Sequence, residues 1–251
     1  MKSRRQERTI SAEAARGAAG YLAESRSLGM SMIALLPLVV LYQVGIVQSG
    51  ANVRNLAEVW LTGPFSLLGL HASTVLNVAL AAGLLITLWK LEKRGSVCLT
   101  LMVFMVAEAM LYSLLLYSTA ATAAHAVERR IMWALWIGRR PWGDLWLCLG
   151  AGVYEELLFR LLLLGGGAAL LHKVFEFNET LSVAVMLVVS SLLFSAAHHI
   201  GPMRDQFSPF VFIFRSMCGL ALGSLFLLRG LGITAWAHAM YNVLVLYSMS
   251  P

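Results

Sequence analysis

The sequence carries little charge for its length. Asp, Glu, Lys and Arg make up 13% of the 251 residues, about half of the roughly 25% found in a typical globular domain. Hydrophobic residues make up 59%, and the mean hydropathy is +0.75. A small soluble domain cannot hide so much apolar surface, because most of its surface stays in contact with water. The composition excludes a soluble enzyme and a disordered chain, and it predicts a polytopic membrane protein.

Cysteine is also scarce. Cys98, Cys148 and Cys218 lie in apolar segments without CxxC or metal-ligand spacing, which excludes a disulfide scaffold and a cysteine metal site. The net charge is +6, and the largest cluster of basic residues lies in the polar N-terminal leader, residues 1–27. Such a cluster beside a membrane span sets orientation or contacts anionic lipid. We therefore expect a bilayer, and no nucleic acid, as its partner.

Seven apolar runs are long enough to cross a bilayer, which takes about 20 residues in a helix. They are 28–48, 67–89, 97–118, 144–164, 180–200, 209–228 and 231–248. Spanning segments must be helical, because backbone groups in lipid are satisfied only within their own segment. The segments at 49–66, 119–143 and 165–179 are predicted to be short loops. The sequence predicts an all-α transmembrane bundle of seven or eight spans, with 28–251 forming one integral membrane domain.

Residues 119–138 decide between seven and eight crossings. With seven crossings and the N-terminus inside, eleven Lys and Arg face the cytoplasm and six face out. If 119–138 also crosses, twelve face in and three face out, which the positive-inside rule prefers. Arg129 and Arg130 would then lie in the crossing, and each costs a few kcal/mol on insertion scales. We prefer eight crossings, with this one bent or partly re-entrant.

The densest group of ionisable residues within the spans is Glu155, Glu156 and Arg160. Such residues are expensive in hydrocarbon and are therefore functional candidates. Glu156 and Arg160 are four apart and can meet on one helix face, whereas Glu155 points about 100° away. The pattern predicts an internal Glu156–Arg160 pair and a separate Glu155 that can serve as a general base. The alternative is one buried ionic cluster that joins helices.

Two further groups lie in later spans. His198 and His199 close the 180–200 span, where a lone histidine is more often a packing residue. His238 and Asn242 share one face of the last span and could together donate hydrogen bonds to an oxyanion. The alternative for this pair is an interhelical hydrogen bond, worth about 1 kcal/mol in membranes. Taken together, the three groups supply a base, two imidazoles and an amide, which suits the activation of water.

These groups resemble the CAAX protease and bacteriocin-processing (CPBP, or Abi) family of intramembrane proteases. EELLFR at 155–160, FSAAH at 194–198 and HAMYN at 238–242 correspond to its EExxxR, FxxxH and HxxxN motifs. The similarity covers about residues 144–245, the CPBP-like catalytic core, and residues 1–140 carry no matching motif. It implies that Glu155 and His198 activate water and that His238 and Asn242 stabilise the oxyanion. It also implies that Glu156 and Arg160 support the site, while His199 and the unmatched Glu108 stay outside it.

A metal-dependent site is the alternative to this chemistry. Glu155, His198 and His238 would form a His₂Glu zinc set, but the sequence has no HExxH. Zinc would also leave Glu156 as the base although it already faces Arg160. We therefore expect a glutamate-dependent enzyme without a cofactor.

The predicted function is an intramembrane endopeptidase that cleaves a membrane-associated protein or peptide near its C-terminus or membrane-embedded part. A catalytically silent scaffold or immunity partner of the same fold is the alternative. A transporter fits less well, because the sequence shows no inverted repeat. The Ala-, Leu- and Arg-rich composition suggests a bacterial cytoplasmic membrane.

Overall fold

The computed structural model describes residues 17, 19–49, 54–67, 99–126, 141–201 and 206–248, with isolated positions between 78 and 89. Every regular element in these residues is a helix, as the apolar composition predicts. In chain order they are α1 (Leu28–Ser49), α2 (Leu56–Leu67), α3 (Leu99–Ala126), α4 (the consecutive stretches Pro141–Gly150, Ala151–Gly166 and Gly167–Lys173), α5 (Glu179–Ala197), α6 (Pro209–Arg229) and α7 (Leu231–Ser248). A short helical stretch at 19–25 precedes α1.

Four helices in the described part of the chain are long and apolar enough to cross a bilayer. They are Leu28–Gln48, Leu99–Thr122, Glu179–Ala197 and Pro209–Arg229. This number is lower than the seven or eight spans predicted. The predicted spans 144–164 and 231–248 are helical, but they belong to α4 and α7, which carry the polar site residues. The span 67–89 lies almost wholly outside the described residues, and so does most of 119–138.

All three predicted loops are partly helical. The loop 49–66 contains most of α2, the loop 119–143 contains the last turns of α3, and the loop 165–179 contains the end of α4, which runs to Lys173. The end of α3 is rich in alanine, the best helix former. Its hydroxyl groups bond within the helix, since Thr122 Oγ1 donates to the carbonyl of Ser118 at 2.8 Å. The length of the apolar run thus predicted the part of α3 that is suited to a bilayer. The helix extends beyond that run because its last residues have a high helix propensity.

The central stretch of α4, Ala151–Gly166, is a π-helix. Its backbone bonds reach five residues back, and at its end the N–H of Gly167 still points to the carbonyl of Leu162. Wide helical turns of this kind occur often at functional sites. This stretch carries EELLFR, so the three ionisable residues of that motif project from a wider helix than the α-helix that the sequence predicts.

α1 and α4 run in opposite directions. Near the end of α1, Gly45 packs against the ring of Trp146 at the start of α4. Near the start of α1, Ser31 lines a cavity together with Leu161, which is much further along α4. The preferred eight-crossing arrangement makes these helices the first and fifth crossings, which must run the same way. That arrangement is wrong, and the observed directions agree with seven crossings.

α5 is antiparallel to α4 as well. Phe194, near the end of α5, contacts Phe159, whereas Met186 in its middle lies beside Gly167 at the far end of α4. The helices α1 and α5 therefore end, and α4 begins, at one end of the bundle. We call this the site end.

A close contact between α4 and α7 brings the candidate residues together. A Cβ atom on Gly152 would lie 2.5 Å from the carbonyl oxygen of Ala235 and 2.7 Å from the Cβ of Ala239. Both distances are shorter than any ordinary contact, so this helix crossing requires glycine. The glutamates three and four residues after Gly152 consequently face the middle of α7.

Candidate active site

Glu155 lies at the centre of the candidate site and is held from outside its own helix. Its Oε1 atom accepts a hydrogen bond from Nδ2 of Asn55 at 3.0 Å. Its Oε2 atom lies 3.9 Å from Nε2 of His238 and has no hydrogen-bond partner among the described residues. One carboxylate oxygen is therefore fixed, and the other can accept a hydrogen bond from a small molecule in the site.

Glu156 and Arg160 form the ion pair that their spacing permits. Arg160 Nη1 lies 3.1 Å from Glu156 Oε1, and both side chains are almost fully buried. The guanidinium also stacks on the ring of Phe194, 4.4 Å from its centroid, and Nη2 donates to the carbonyl of Gly219 at 3.5 Å. Burial makes this pair expensive to break, because removal of one partner leaves an uncompensated charge. It links α4 to α5 and α6.

His238 joins the two glutamates. Its Nδ1 atom lies 2.7 Å from Glu156 Oε1, and its Nε2 atom faces Glu155. A carboxylate paired with a guanidinium can only accept hydrogen bonds, so Nδ1 carries the proton of this contact. Glu156 thus fixes the orientation of the imidazole, a contact that sequence spacing did not reveal because the two residues are on different helices.

His198 and His199 have different surroundings. His198 follows the last turn of α5, and its Nδ1 atom lies 2.8 Å from the carbonyl of Phe194. If Nδ1–H donates in that contact, Nε2 of the neutral ring is an acceptor. The charge of Glu155 interacts with His198 as well as with His238. His199 instead packs between the rings of Phe207 and Phe212.

Asn242 is the last of the predicted site residues, and Glu108 is the glutamate in α3 that matches no motif. Asn242 is partly buried one turn after His238 on α7, and its side chain makes no hydrogen bond within the described part of the chain. Glu108 lies away from the site and pairs with Arg229, whose Nε atom is 2.5 Å from Oε1. Tyr21 Oη also donates to Glu108. This second cluster joins the segment at 19–25 to α3 and α6.

Asn55 is the site residue that sequence reasoning missed. It lies in the predicted loop 49–66 and outside every motif. One local signal was present, because Asn-Leu-Ala-Glu at 55–58 has the spacing of a helix-capping box. That signal predicts the start of α2, but it does not predict that the cap faces Glu155.

The charges of the buried cluster nearly cancel. Glu155 and Glu156 contribute two carboxylates, and Arg160 contributes one guanidinium. One further proton, on His198 or His238, makes the cluster neutral. Buried charge is tolerated only when it is paired in this way.

The described residues contain no group of three or more His, Cys, Asp or Glu side chains arranged to hold a metal ion. Glu155, His198 and His238, the alternative zinc set, are not grouped as ligands in this arrangement. His238 would have to coordinate through Nε2, because Nδ1 faces Glu156.

Comparison with protein families gives a match over the same region. Residues 136–244 match a family model described as type II CAAX prenyl endopeptidase Rce1-like. No curated protein and no solved structure matches the chain. The match includes α4 to α6, most of α7 and all three motifs, but it leaves out α1, α2 and α3. It supports a membrane peptidase.

Proposed function

Because residues 136–244 match the Rce1-like family, we propose that this protein is an intramembrane endopeptidase in which Glu155 activates water. The observation that carries the proposal is the state of the two Glu155 oxygens. Oε1 is held by Asn55, and Oε2 points towards His238 without a hydrogen-bond partner among the described residues. A carboxylate held in this way can take a proton from a water molecule as that water attacks a carbonyl carbon.

The proposed reaction is ordinary amide hydrolysis. Water bound between Glu155 Oε2 and Nε2 of His198 gives a proton to Glu155, and its oxygen forms a bond to the scissile carbonyl carbon. The carbonyl oxygen becomes an oxyanion. The C–N bond then breaks, and the proton held by Glu155 passes to the leaving nitrogen. The products are a carboxylic acid and an amine, so no external reductant or oxidant is required.

The oxyanion would be stabilised by donors on α7. The candidate donors are the side-chain amide of Asn242 and Nε2–H of His238. Since Nδ1–H of His238 already donates to Glu156, an Nε2–H requires a doubly protonated ring. That state supplies the one positive charge that neutralises the cluster. Removal of one oxyanion donor typically lowers kcat by about 10²–10³-fold.

The substrate is proposed to be a membrane-associated protein or peptide that is cleaved near its C-terminus or its membrane-embedded part. The description of the family names prenylated CAAX substrates. A bacterial chain would instead process peptide leaders or proteins with C-terminal sorting tails. The Ala-, Leu- and Arg-rich composition supports a bacterial cytoplasmic membrane as the location. The proposed mechanism requires no metal.

The test uses purified protein in liposomes and two internally quenched peptides. One carries S-farnesyl-cysteine followed by three residues at its C-terminus. The other is an unmodified transmembrane peptide with a C-terminal tail. We expect the wild type to cleave at least one of them. Glu155→Gln should abolish cleavage while insertion and accumulation stay normal, because the amide keeps the shape and loses the base.

Two results would contradict the proposal. Cleavage of neither peptide by the wild type would favour a silent scaffold or immunity partner of the same fold. Cleavage by Glu155→Gln at the wild-type rate would show that another group activates water. Glu108→Gln is the matched control, since it removes a partly buried carboxylate outside the site and should leave kcat unchanged.

A further inference from the structure

Asn55 connects the first part of the chain to the site. It lies between α1 and α2, outside the residues that match the family model. Its side-chain Nδ2 donates to Oε1 of Glu155 at 3.0 Å, and the residue is 9% exposed. A neutral amide that donates to a carboxylate forms a charge-assisted hydrogen bond, which is stronger than a neutral one.

The capping of α2 determines which end of the Asn55 amide faces Glu155. Its Oδ1 atom accepts a hydrogen bond from the backbone N–H of Ala57 at 2.9 Å, as an N-cap side chain does. Since the carbonyl end is occupied by the helix, the NH₂ end must point away from it. That direction is towards Glu155. The hydrogen-bond network thus fixes an orientation that atom positions alone leave ambiguous.

The backbone of Asn55 is anchored by a buried relay. Its N–H donates to Tyr42 Oη at 3.2 Å, and Tyr42 Oη donates to Glu58 Oε2 at 2.5 Å. Glu58 also pairs with Arg54 at 2.6 Å. In an ordinary capping box the glutamate reaches back to the cap N–H directly. Here the hydroxyl group of Tyr42 bridges the N–H of Asn55 and the carboxylate of Glu58. Because Tyr42 belongs to α1, the N-cap of α2 is bonded to α1.

We propose that Asn55 is a positioning residue that holds Oε1 of Glu155 and thereby directs Oε2 to the attacking water. The inference rests on the proposed function. Without Asn55, the carboxylate of Glu155 could rotate, and neither of its oxygens would be held towards the water. A base that loses its orientation loses rate more than substrate affinity. The α1–α2 connection is therefore a part of the catalytic machinery in this chain.

Three substitutions separate this role from the capping role. Ser and Asp are good N-caps, whereas Ala is not. Asn55→Ser keeps the cap and loses the donor, Asn55→Asp keeps the cap and places an acceptor against Glu155, and Asn55→Ala loses both. Asn178→Ala is a matched control, because Asn178 caps α5 through a bond from Leu181 N–H at 3.2 Å and lies away from the site.

We expect the ranking of activity to differ from the ranking of stability. On the peptide that the wild type cleaves, kcat should fall about 10- to 100-fold in Asn55→Ser. It should fall further in Asn55→Asp, with KM within about twofold in both. The midpoint of thermal unfolding should stay close to that of the wild type in Asn55→Ser, whereas Asn55→Asp should lower it, because two carboxylates would face each other in a buried site. Asn55→Ala should lose both kcat and stability, and Asn178→Ala should lose stability alone.

Three outcomes would overturn the inference. They are a wild-type kcat in Asn55→Ser, a loss confined to KM, and a loss of activity that follows thermal stability across the four variants. Each is distinct from failure of the proposed function, which is read from Glu155→Gln. An inactive Glu155→Gln together with a fully active Asn55→Ser would retain the peptidase and reject the role of Asn55.

Discussion

Nδ1 of His238 lies 2.7 Å from Oε1 of Glu156, so the second glutamate of the EE pair contacts a catalytic candidate on another helix. The same oxygen lies 3.1 Å from Nη1 of Arg160. Glu156 therefore has two functions that spacing along one helix cannot separate. It neutralises Arg160, and it orients the imidazole that faces Glu155.

Loss of either partner of the Glu156–Arg160 pair should reduce stability as well as activity. Glu156→Ala or Arg160→Ala leaves one buried charge uncompensated, which commonly costs about 3–5 kcal/mol. The measurement is accumulation and thermal unfolding in detergent. The double variant Glu156→Gln with Arg160→Met should recover part of the stability but not the activity, because His238 loses its charged acceptor. A stable and inactive Glu156→Ala would instead make Glu156 a participant in the chemistry.

The two adjacent histidines should differ strongly in their effects. His198→Ala should reduce kcat about as severely as Glu155→Gln, because the proposed mechanism binds the attacking water between Glu155 and Nε2 of His198. His199→Ala should have a mild effect on kcat, since His199 packs against Phe207 and Phe212. Steady-state kinetics on the same peptide distinguish the two. Equal losses at both positions would mean that the pair acts together.

The site end should face away from the cytoplasm. The opposing directions of α1 and α4 exclude eight crossings, and the seven-crossing arrangement assigns eleven basic residues of the sequence to the side of the N-terminus and six to the site side. The positive-inside rule then places the N-terminus in the cytoplasm. Single cysteines can test this in a background without Cys98, Cys148 and Cys218.

We expect Gln206→Cys, just before α6, to react in intact cells with an impermeant thiol reagent. Lys173→Cys, at the opposite end of the bundle, should react only after the membrane is opened. The reverse pattern would place the site on the cytoplasmic side and would remove exported proteins from the list of substrates.

Chelation should leave the enzyme active. The proposed mechanism uses Glu155, His198 and His238 as base and donors, and strong chelation should therefore not change kcat. Elemental analysis of the purified protein should find no stoichiometric zinc. Activity that is lost on chelation and restored by zinc would reject the metal-free mechanism, although the same three residues would still form the site.

The sequence predicted the helical membrane fold and the similarity to the Rce1-like family model, because both depend on features that are local in the chain. Apolar length marks α1, α3, α5 and α6, and the spacing of four residues brings Glu156 to Arg160 on one helix. Helix directions and contacts between helices depend on packing that one sequence does not display. The eight-crossing preference failed for this reason, since charge counting cannot register that Gly45 packs against Trp146.

The contact of Asn55 with Glu155 and that of His238 with Glu156 illustrate the same point. A capping-box spacing indicates where α2 begins, but the partner of its amide is 100 residues away in the chain. The contact between His238 and Glu156 was missed for the same reason. Neither contact alters the hydrophobic pattern from which the spans were predicted.

The contacts of α1 with α4 have a consequence for engineered hybrids. Three contacts join a residue before the matched region, 136–244, to a residue within it. They are Gly45 with Trp146, Tyr42 with Gly150, and Asn55 with Glu155. A chimera that exchanges only residues 136–244 for those of a relative would separate a tryptophan from the glycine that accommodates it. To transfer substrate preference, the exchanged segment would have to be moved together with its own α1 and α2.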